Sequence, residues 1–173
     1  NKEKAGEYAR MVIEQVNKGS DPLFPLVDAT YMGANSDRMF SPEVLFSLYN
    51  TSRKSVVYDV LFTYSLSTTS ILSMAGKRET GRISITYDDE NDYRYKMWES
   101  TVVNNTEVTY LTKFKDETRT GAEAYRYMMP LIRMSELYLI AAECETDVQK
   151  ALDNYFNPLR FSRNCVNQNA IDE

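Results

Sequence analysis

The chain of 173 residues contains no histidine. That single absence removes His-based general acid/base catalysis, His metal ligation and every Ser-His or Cys-His nucleophile pair. Cysteine is almost as scarce: Cys144 and Cys165 are the only two, too few for a disulfide scaffold. Their spacing leaves bridged and free states open, and the core-type neighbours of Cys144 favour free thiols. No run of about 18 apolar residues occurs, so no segment can cross a membrane as a helix. Basic groups are also in deficit, with 20 Lys and Arg against 25 Asp and Glu for a net charge of −5. Phosphate binding needs clustered Lys and Arg, so a general nucleic-acid binder is disfavoured and neutral or polar ligands fit better.

What the chain does have is apolar and aromatic bulk: 43% apolar residues, 13 Tyr, 7 Phe and one Trp. That is enough to bury one sizeable core, so a single domain over 1–173 is expected. Charged residues at 26% speak against wholesale disorder.

Residues 2–18 place Ala5, Tyr8, Ala9, Val12, Ile13 and Val16 at helical spacing before Gly19, which predicts an amphipathic helix with one buried stripe and a glycine stop. An insertion of loops and short strands follows over 20–120. It opens with a long ordered loop whose Leu23, Phe24 and Leu26 are expected to tuck onto the core. "FSPEVLFSLYN" starts like a helix at Ser41-Pro42-Glu43, yet its apolar residues suit a strand buried on both faces, and the extended reading is preferred. "SVVYDVLFTYSLSTTSILSM" and "RISITYDD" read as strand or strand-like coil. "EVTYLTKF" reads as a short strand with Val108, Tyr110 and Thr112 on one side.

The last third turns helical, with a hairpin predicted over 127–163. Pro130 is placed at the first position of a helix reaching Glu145. On a helical projection Ile132, Glu136, Leu139, Ile140 and Glu143 share one arc, Arg133 lies beside it and Met134 and Ala141 lie opposite. Apolar groups all round predict packing on several sides, with Ser135, Ala141 and Ala142 small enough for close helix approach. Asp147 caps a second helix carrying Val148, Ala151, Leu152, Tyr155 and Leu159. A short link makes the two antiparallel neighbours. The fold class is therefore mainly α, with tetratricopeptide-like helical hairpins, irregular loops and short β insertions.

Ionised groups on an enclosed helix require partners, because a carboxylate buried alone costs several kcal/mol. Arg133 is placed to meet Glu136, and Arg94 or Arg160 to serve Glu143, as structural ion pairs. A catalytic carboxylate pair needs an open cleft instead, so no catalytic residues are assigned. Trp98 with Tyr93 and Tyr95 forms a candidate sugar-stacking platform, and Tyr31 and Tyr110 are further loop-borne candidates; packing against the helices is the competing reading for these rings. Asp88, Glu90, Asp92 and Glu99 fall at EF-hand offsets, but Tyr93 replaces the required glycine and Arg94 and Lys96 follow, so no metal is assigned.

"PLIRMSELYLIAAEC" resembles the helix typical of the SusD/RagB family, with its Pro-(apolar)-(apolar)-Arg-x-x-Glu-x-x-(apolar)-(apolar)-x-Ala-Glu pattern. "AGEYARMVIEQVNKG", "FSPEVLFSLYN", "NDYRYKMW", "TKF" and "ALDNYFNPLRFSRN" resemble further family segments in the same order. Two departures stand out. Pro158 lies inside the last helix and is expected to kink or end it near Asn157, and Ser162 stands where a second Arg is common, so neither it nor Arg163 is given a role. The resemblance implies a non-enzymatic, surface-exposed outer-membrane lipoprotein of a Gram-negative cell, held by a lipid anchor preceding Asn1 and without a cofactor. It would capture an oligosaccharide or other nutrient and pass it to a SusC-like TonB-dependent transporter. Because family members are generally much longer, the resemblance also implies a truncated member or a part of one. A helical-repeat scaffold that binds only proteins is the alternative.

Overall fold

A computed structural model describes residues 1–28, 31, 37–50, 73–87, 89–113 and 124–166. In chain order the elements are α1 Lys2–Val16, a 3₁₀ turn Ser41–Glu43, β1 Val44–Tyr49, β2 Ser73–Ala75, α2 Arg82–Thr86, α3 Tyr93–Lys96, β3 Trp98–Val103, β4 Thr106–Leu111, a 3₁₀ turn Ala124–Tyr127, β5 Met128–Arg133, α4 Met134–Cys144, α5 Val148–Ala151, a π turn Leu152–Phe156 and α6 Asn157–Ser162. The architecture is helix-rich with short strands. Most of "SVVYDVLFTYSLSTTSILSM" lies outside the described residues. Where composition pointed to one core, the contacts divide the chain into two compact units.

The first unit holds residues 1–28, 31, 40–48 and 129–164 of the described chain. Asn1 caps α1 by accepting the Lys4 N–H at 3.3 Å, and Gly19 follows the helix with φ +104°, a conformation favourable to glycine alone. The buried seam of α1 is narrower than its periodicity suggested. Gly6 and Ala9 are buried while Ala5 and Tyr8 face solvent, because α1 crosses α4 so closely that a Cβ on Gly6 would stand 2.6 Å from the Cys144 Cβ. In the loop after α1 it is Val27 that is buried; Leu23 is exposed and Phe24 and Leu26 are half-buried.

Residues 128–133 form a strand, which pairs with β1 in a two-stranded sheet, and not the helical turn expected from Pro130. A proline needs no ladder donor in a strand with a free side, and Arg133 remains extended (φ −125°, ψ 154°) up to the first residue of α4. Because α4 therefore starts at Met134, Ile132 and Arg133 are not on it. Its buried side carries Met134, Ser135 and Ala141, whereas Glu136, Leu139, Ile140 and Glu143 form its exposed arc. β1 is extended as preferred, but it is not buried on both faces, since Phe46 and Leu48 are half exposed.

Asp147 caps α5, accepting the Lys150 N–H at 3.2 Å, and the Tyr138 and Tyr155 rings meet edge to face at 6.4 Å between the hairpin's two arms. Pro158 neither ends the helix nor acts alone. Its missing N–H and its ring would clash with a regular turn, and the preceding turn widens so that the Asn157 N–H reaches the Leu152 carbonyl. The chain then stays helical to Ser162 and stops at Asn164, whose left-handed φ of 57° and N–H bond to the Phe161 carbonyl close the end.

The second unit holds residues 37–39, 49–50, 73–87, 89–113, 124–128 and 165–166 of the described chain. β2, β4 and β3 form an antiparallel sheet in that order. Asn104 and Asn105, at φ 49° and 62°, make the two-residue turn between β3 and β4, a turn whose twist matches that of the strands. "RISIT" is helical and not extended. The Ser84 and Thr86 hydroxyls bond back to the Gly81 and Arg82 carbonyls, and only Ile83 is buried while Ile85 is exposed, so a single apolar anchor replaces the alternating face a strand needs. Neither cysteine is in a disulfide.

Candidate functional site

Of the proposed ion pairs, Arg133 Nε lies 3.7 Å from Glu136 Oε1, at the surface. Glu143 meets neither Arg94 nor Arg160. It projects into solvent, 78% exposed, with Lys2 Nζ at 3.8 Å, because the arc of α4 that carries it is the outward one. Arg94 instead binds both oxygens of Asp92, the N-cap of α3. Arg160 is buried against the Phe161 ring at 5.3 Å.

The enclosed clasp is elsewhere. Glu43, 0% exposed, accepts from Arg163 twice, Nη1 to Oε1 and Nη2 to Oε2, both at 2.6 Å. Glu43 Oε1 also accepts the Val27 N–H at 2.8 Å, and Arg163 Nη1 donates to the Val27 carbonyl at 3.1 Å. The guanidinium lies 4.3 Å from the ring centre of Phe40, a buried residue with a left-handed backbone at φ 56°. Three segments remote in sequence are thus tied at one point, in the first unit. Glu43 sits directly between a proline turn and the apolar strand "VLF", and this placement was the available signal.

The candidate binding residues fall mainly on the β2–β4–β3 sheet. Trp98 pairs with Leu111, Glu99 with Tyr110 and Ser100 with Thr109. Side chains alternate across a sheet, so Trp98 and Ser100 belong to one face and Glu99 and Tyr110 to the other. On the Trp98 face a hydroxyl chain fastens the turn that crosses the sheet: Arg78 N–H donates to Ser100 Oγ at 2.9 Å, Ser100 to Thr109 Oγ1 at 3.1 Å, and Thr109 to the Gly76 carbonyl at 2.7 Å. Arg78 Nη1 binds the Trp98 carbonyl at 3.0 Å, and its guanidinium pairs with Glu79 at 2.9 Å while covering the Tyr95 ring at 4.7 Å. The Glu79 carboxyl is held below its usual range, first by a backbone N–H and then by Arg78.

On the other face the Tyr110 hydroxyl donates to Glu99 Oε2 at 2.9 Å, and Arg38 Nη1 lies 3.9 Å from Glu99 Oε1. Arg38 also donates to the Thr112 hydroxyl, which itself donates to the Met97 carbonyl at 2.7 Å. Burial, then the bond to Glu99, pushes the Tyr110 phenol up to about 12. Tyr95 is buried and closed to a ligand, while Tyr93, Trp98 and Tyr110 are half-buried with part of each ring accessible. Tyr31 belongs to the first unit, where its N–H binds Asp28 Oδ1 at 2.9 Å. Asp88 lies outside the described residues, and Asp92 is occupied by Arg94; no group of three or more metal-ligating side chains occurs among the described residues.

Residues 30–172 match the model of the SusD family. The chain belongs to the SusD family. Among solved structures it is similar to a SusD-like carbohydrate binding protein from Bacteroides vulgatus ATCC 8482, with a TM-score of 0.56 and 18% identity. That likeness covers 94% of this chain but 33% of the other, so this SusD-family chain spans about a third of its relative's length. No curated protein matches it in sequence. At such identity the likeness speaks for the fold.

Proposed function

We propose that this chain is part of a surface glycan- or nutrient-binding protein of the outer membrane, which hands its ligand to a SusC-like TonB-dependent transporter. Membership of the SusD family over residues 30–172 carries this reading, and the carbohydrate binding named for its structural relative agrees with it. Anchorage is through lipid, and α1, α4 and the 148–162 helix belong to a tetratricopeptide-like stack. Binding makes and breaks no bond: on one face of the sheet the Trp98 ring offers flat apolar surface to a pyranose with Ser100 on the same face, and on the other the Tyr110 ring does so with Glu99 and its own hydroxyl as hydrogen-bond partners. Tyr93 and Tyr31 are secondary contacts, and Tyr95 supports the platform from beneath.

Isothermal titration against an oligosaccharide panel tests the reading. Trp98→Ala should weaken a saturable interaction at least about tenfold, equivalent to about 1.4 kcal/mol of lost stacking. The half-exposed Phe46, Leu48, Met129 and Leu131 on alternate positions of β1 and β5 favour a second reading, a scaffold that binds only proteins. Silence with every glycan, alongside binding to the transporter, would select it.

A further inference from the structure

We infer that Arg78 is a positioning residue of the proposed glycan platform, holding the Trp98 ring in its ligand-ready setting from the open side of β3. The inference rests on the capture reading and adds the residue on which the order of the ring depends. β3 is an edge strand, since the sheet order is β2–β4–β3. The Thr112 N–H donates to the Met97 carbonyl at 2.7 Å, so residues 97 and 112 face each other as a hydrogen-bonded pair. Antiparallel ladders alternate such pairs with unbonded ones. Trp98, opposite Leu111 at the next position, therefore turns its own carbonyl away from β4, to the side where no described strand pairs with it.

Arg78 meets that carbonyl. Its Nη1 donates there at 3.0 Å, and its backbone N–H donates to Ser100 Oγ, two residues further along the strand, at 2.9 Å. The guanidinium is itself fixed: Nε and Nη2 both donate to Glu79 Oε1, at 3.1 and 2.9 Å, and the group covers the buried Tyr95 ring at 4.7 Å. The indole of Trp98 has no such fastening. Among the described residues it has no aromatic, cation–π or hydrogen-bond partner, so the setting of this half-buried ring follows its backbone. Stacking on a pyranose rewards a ring already in place, because immobilising a side chain on binding subtracts from affinity. A clamp on the outer carbonyl supplies that order without touching the sugar.

Trp98 is the single tryptophan of the chain, so indole emission and its quenching by acrylamide report this ring alone. Arg78→Met keeps a stem over Tyr95 and removes the donors. In the unliganded variant acrylamide quenching should strengthen. In titrations with malto- and xylo-oligosaccharides the affinity for the probe that binds should fall about three- to tenfold, the cost of ordering one side chain on binding. Arg78→Lys retains a donor for the Trp98 carbonyl and should restore the original quenching, with affinity within about twofold of the unaltered protein. Far-ultraviolet circular dichroism checks the fold; should Arg78→Met fail to fold, Glu79→Gln, which releases the guanidinium on one side, takes its place with the same expected directions. Weaker binding with unchanged quenching would mean that Arg78 touches the sugar itself, and would overturn the inference while leaving glycan capture standing. Affinity still lost in Arg78→Lys despite restored quenching would do the same. A freer ring with unchanged affinity, or no change in either readout, would also overturn it. Absence of binding of every probe by the unaltered protein would sink the capture reading together with this one.

Discussion

Arg163→Met leaves the Glu43 carboxylate where water does not reach, with only the Val27 N–H of its three donors remaining. Breaking a buried pair from one side costs about 3–5 kcal/mol, so the urea midpoint of Arg163→Met should fall steeply. Adding Glu43→Leu should recover part of the loss, because an apolar pair of similar volume strands no charge. A double variant no more stable than the single one would show that the Val27 bonds, and not the stranded charge, set the cost. By contrast Glu143→Gln should change stability by less than about 1 kcal/mol, the range for exposed pairs.

Tyr110 gives a pH signature at the same scale. Its phenol is held up to about 12, above the ordinary 10.0, so the folded state keeps a proton that the unfolded chain releases. The stability this contributes is complete below about pH 10 and is lost as the pH rises through about 12. Tyrosinate absorbance should show a late-titrating phenol that disappears in Tyr110→Phe and moves to lower pH in Glu99→Gln. Neither this hydrogen bond nor the enclosed clasp was read from the sequence. A run such as "IRMSELYLIAAEC" displays its charges beside many apolar residues, but Leu139 and Ile140 share the exposed arc with Glu136 and Glu143, so hydrophobicity did not mark the inside. Glu43 and Arg163 are 120 positions apart, and no local periodicity couples such residues.

Elements with a strong period or a strong cap were legible: α1, the Asp147-capped helix, and β4 with its Val108 and Tyr110 alternation. The misread ones were short. "RISIT" forms a helical turn because hydroxyls satisfy backbone carbonyls, and 128–133 is a strand because pairing with β1 decides what six residues alone do not. The meeting of α1 and α4 depends on Gly6, and it supplies the prediction for this scale. Alanine favours a helix over glycine by about 1 kcal/mol, yet at position 6 the added Cβ would meet the Cys144 Cβ at 2.6 Å. Overpacking costs about 1–3 kcal/mol, so Gly6→Ala should destabilise despite the better propensity, read as a lower melting temperature. Cys144→Ala should not rescue it, since the clashing atom is the Cβ that alanine keeps; Cys144→Gly should.

At the scale of the molecule, the proposed function separates capture from delivery, and the sheet and the long helices fall in different units. Trp98 is a side chain of the second unit, on a strand pinned by its pairing with β4, while α1, α4 and α6 belong to the first. The run "PLIRMSELYLIAAEC" made the family legible, and the match over residues 30–172 agrees with it, while composition only weighed binding against catalysis. It could not rank the rings, since burial of Tyr95 and partial exposure of Trp98 depend on a turn at 76–81 that folds across the sheet. If, as proposed, capture runs through Trp98 and delivery through a SusC-like transporter, then Trp98→Ala in the full-length protein should abolish glycan uptake by cells while leaving the protein co-purifying with that transporter in unchanged amount. Loss of both would mean that the ring serves the fold of the second unit, and retained uptake would move the binding surface away from this sheet. Circular dichroism of the variant separates the first of these outcomes from a direct effect on the transporter, because a ring that is half-buried on a sheet edge should cost little helix signal when removed.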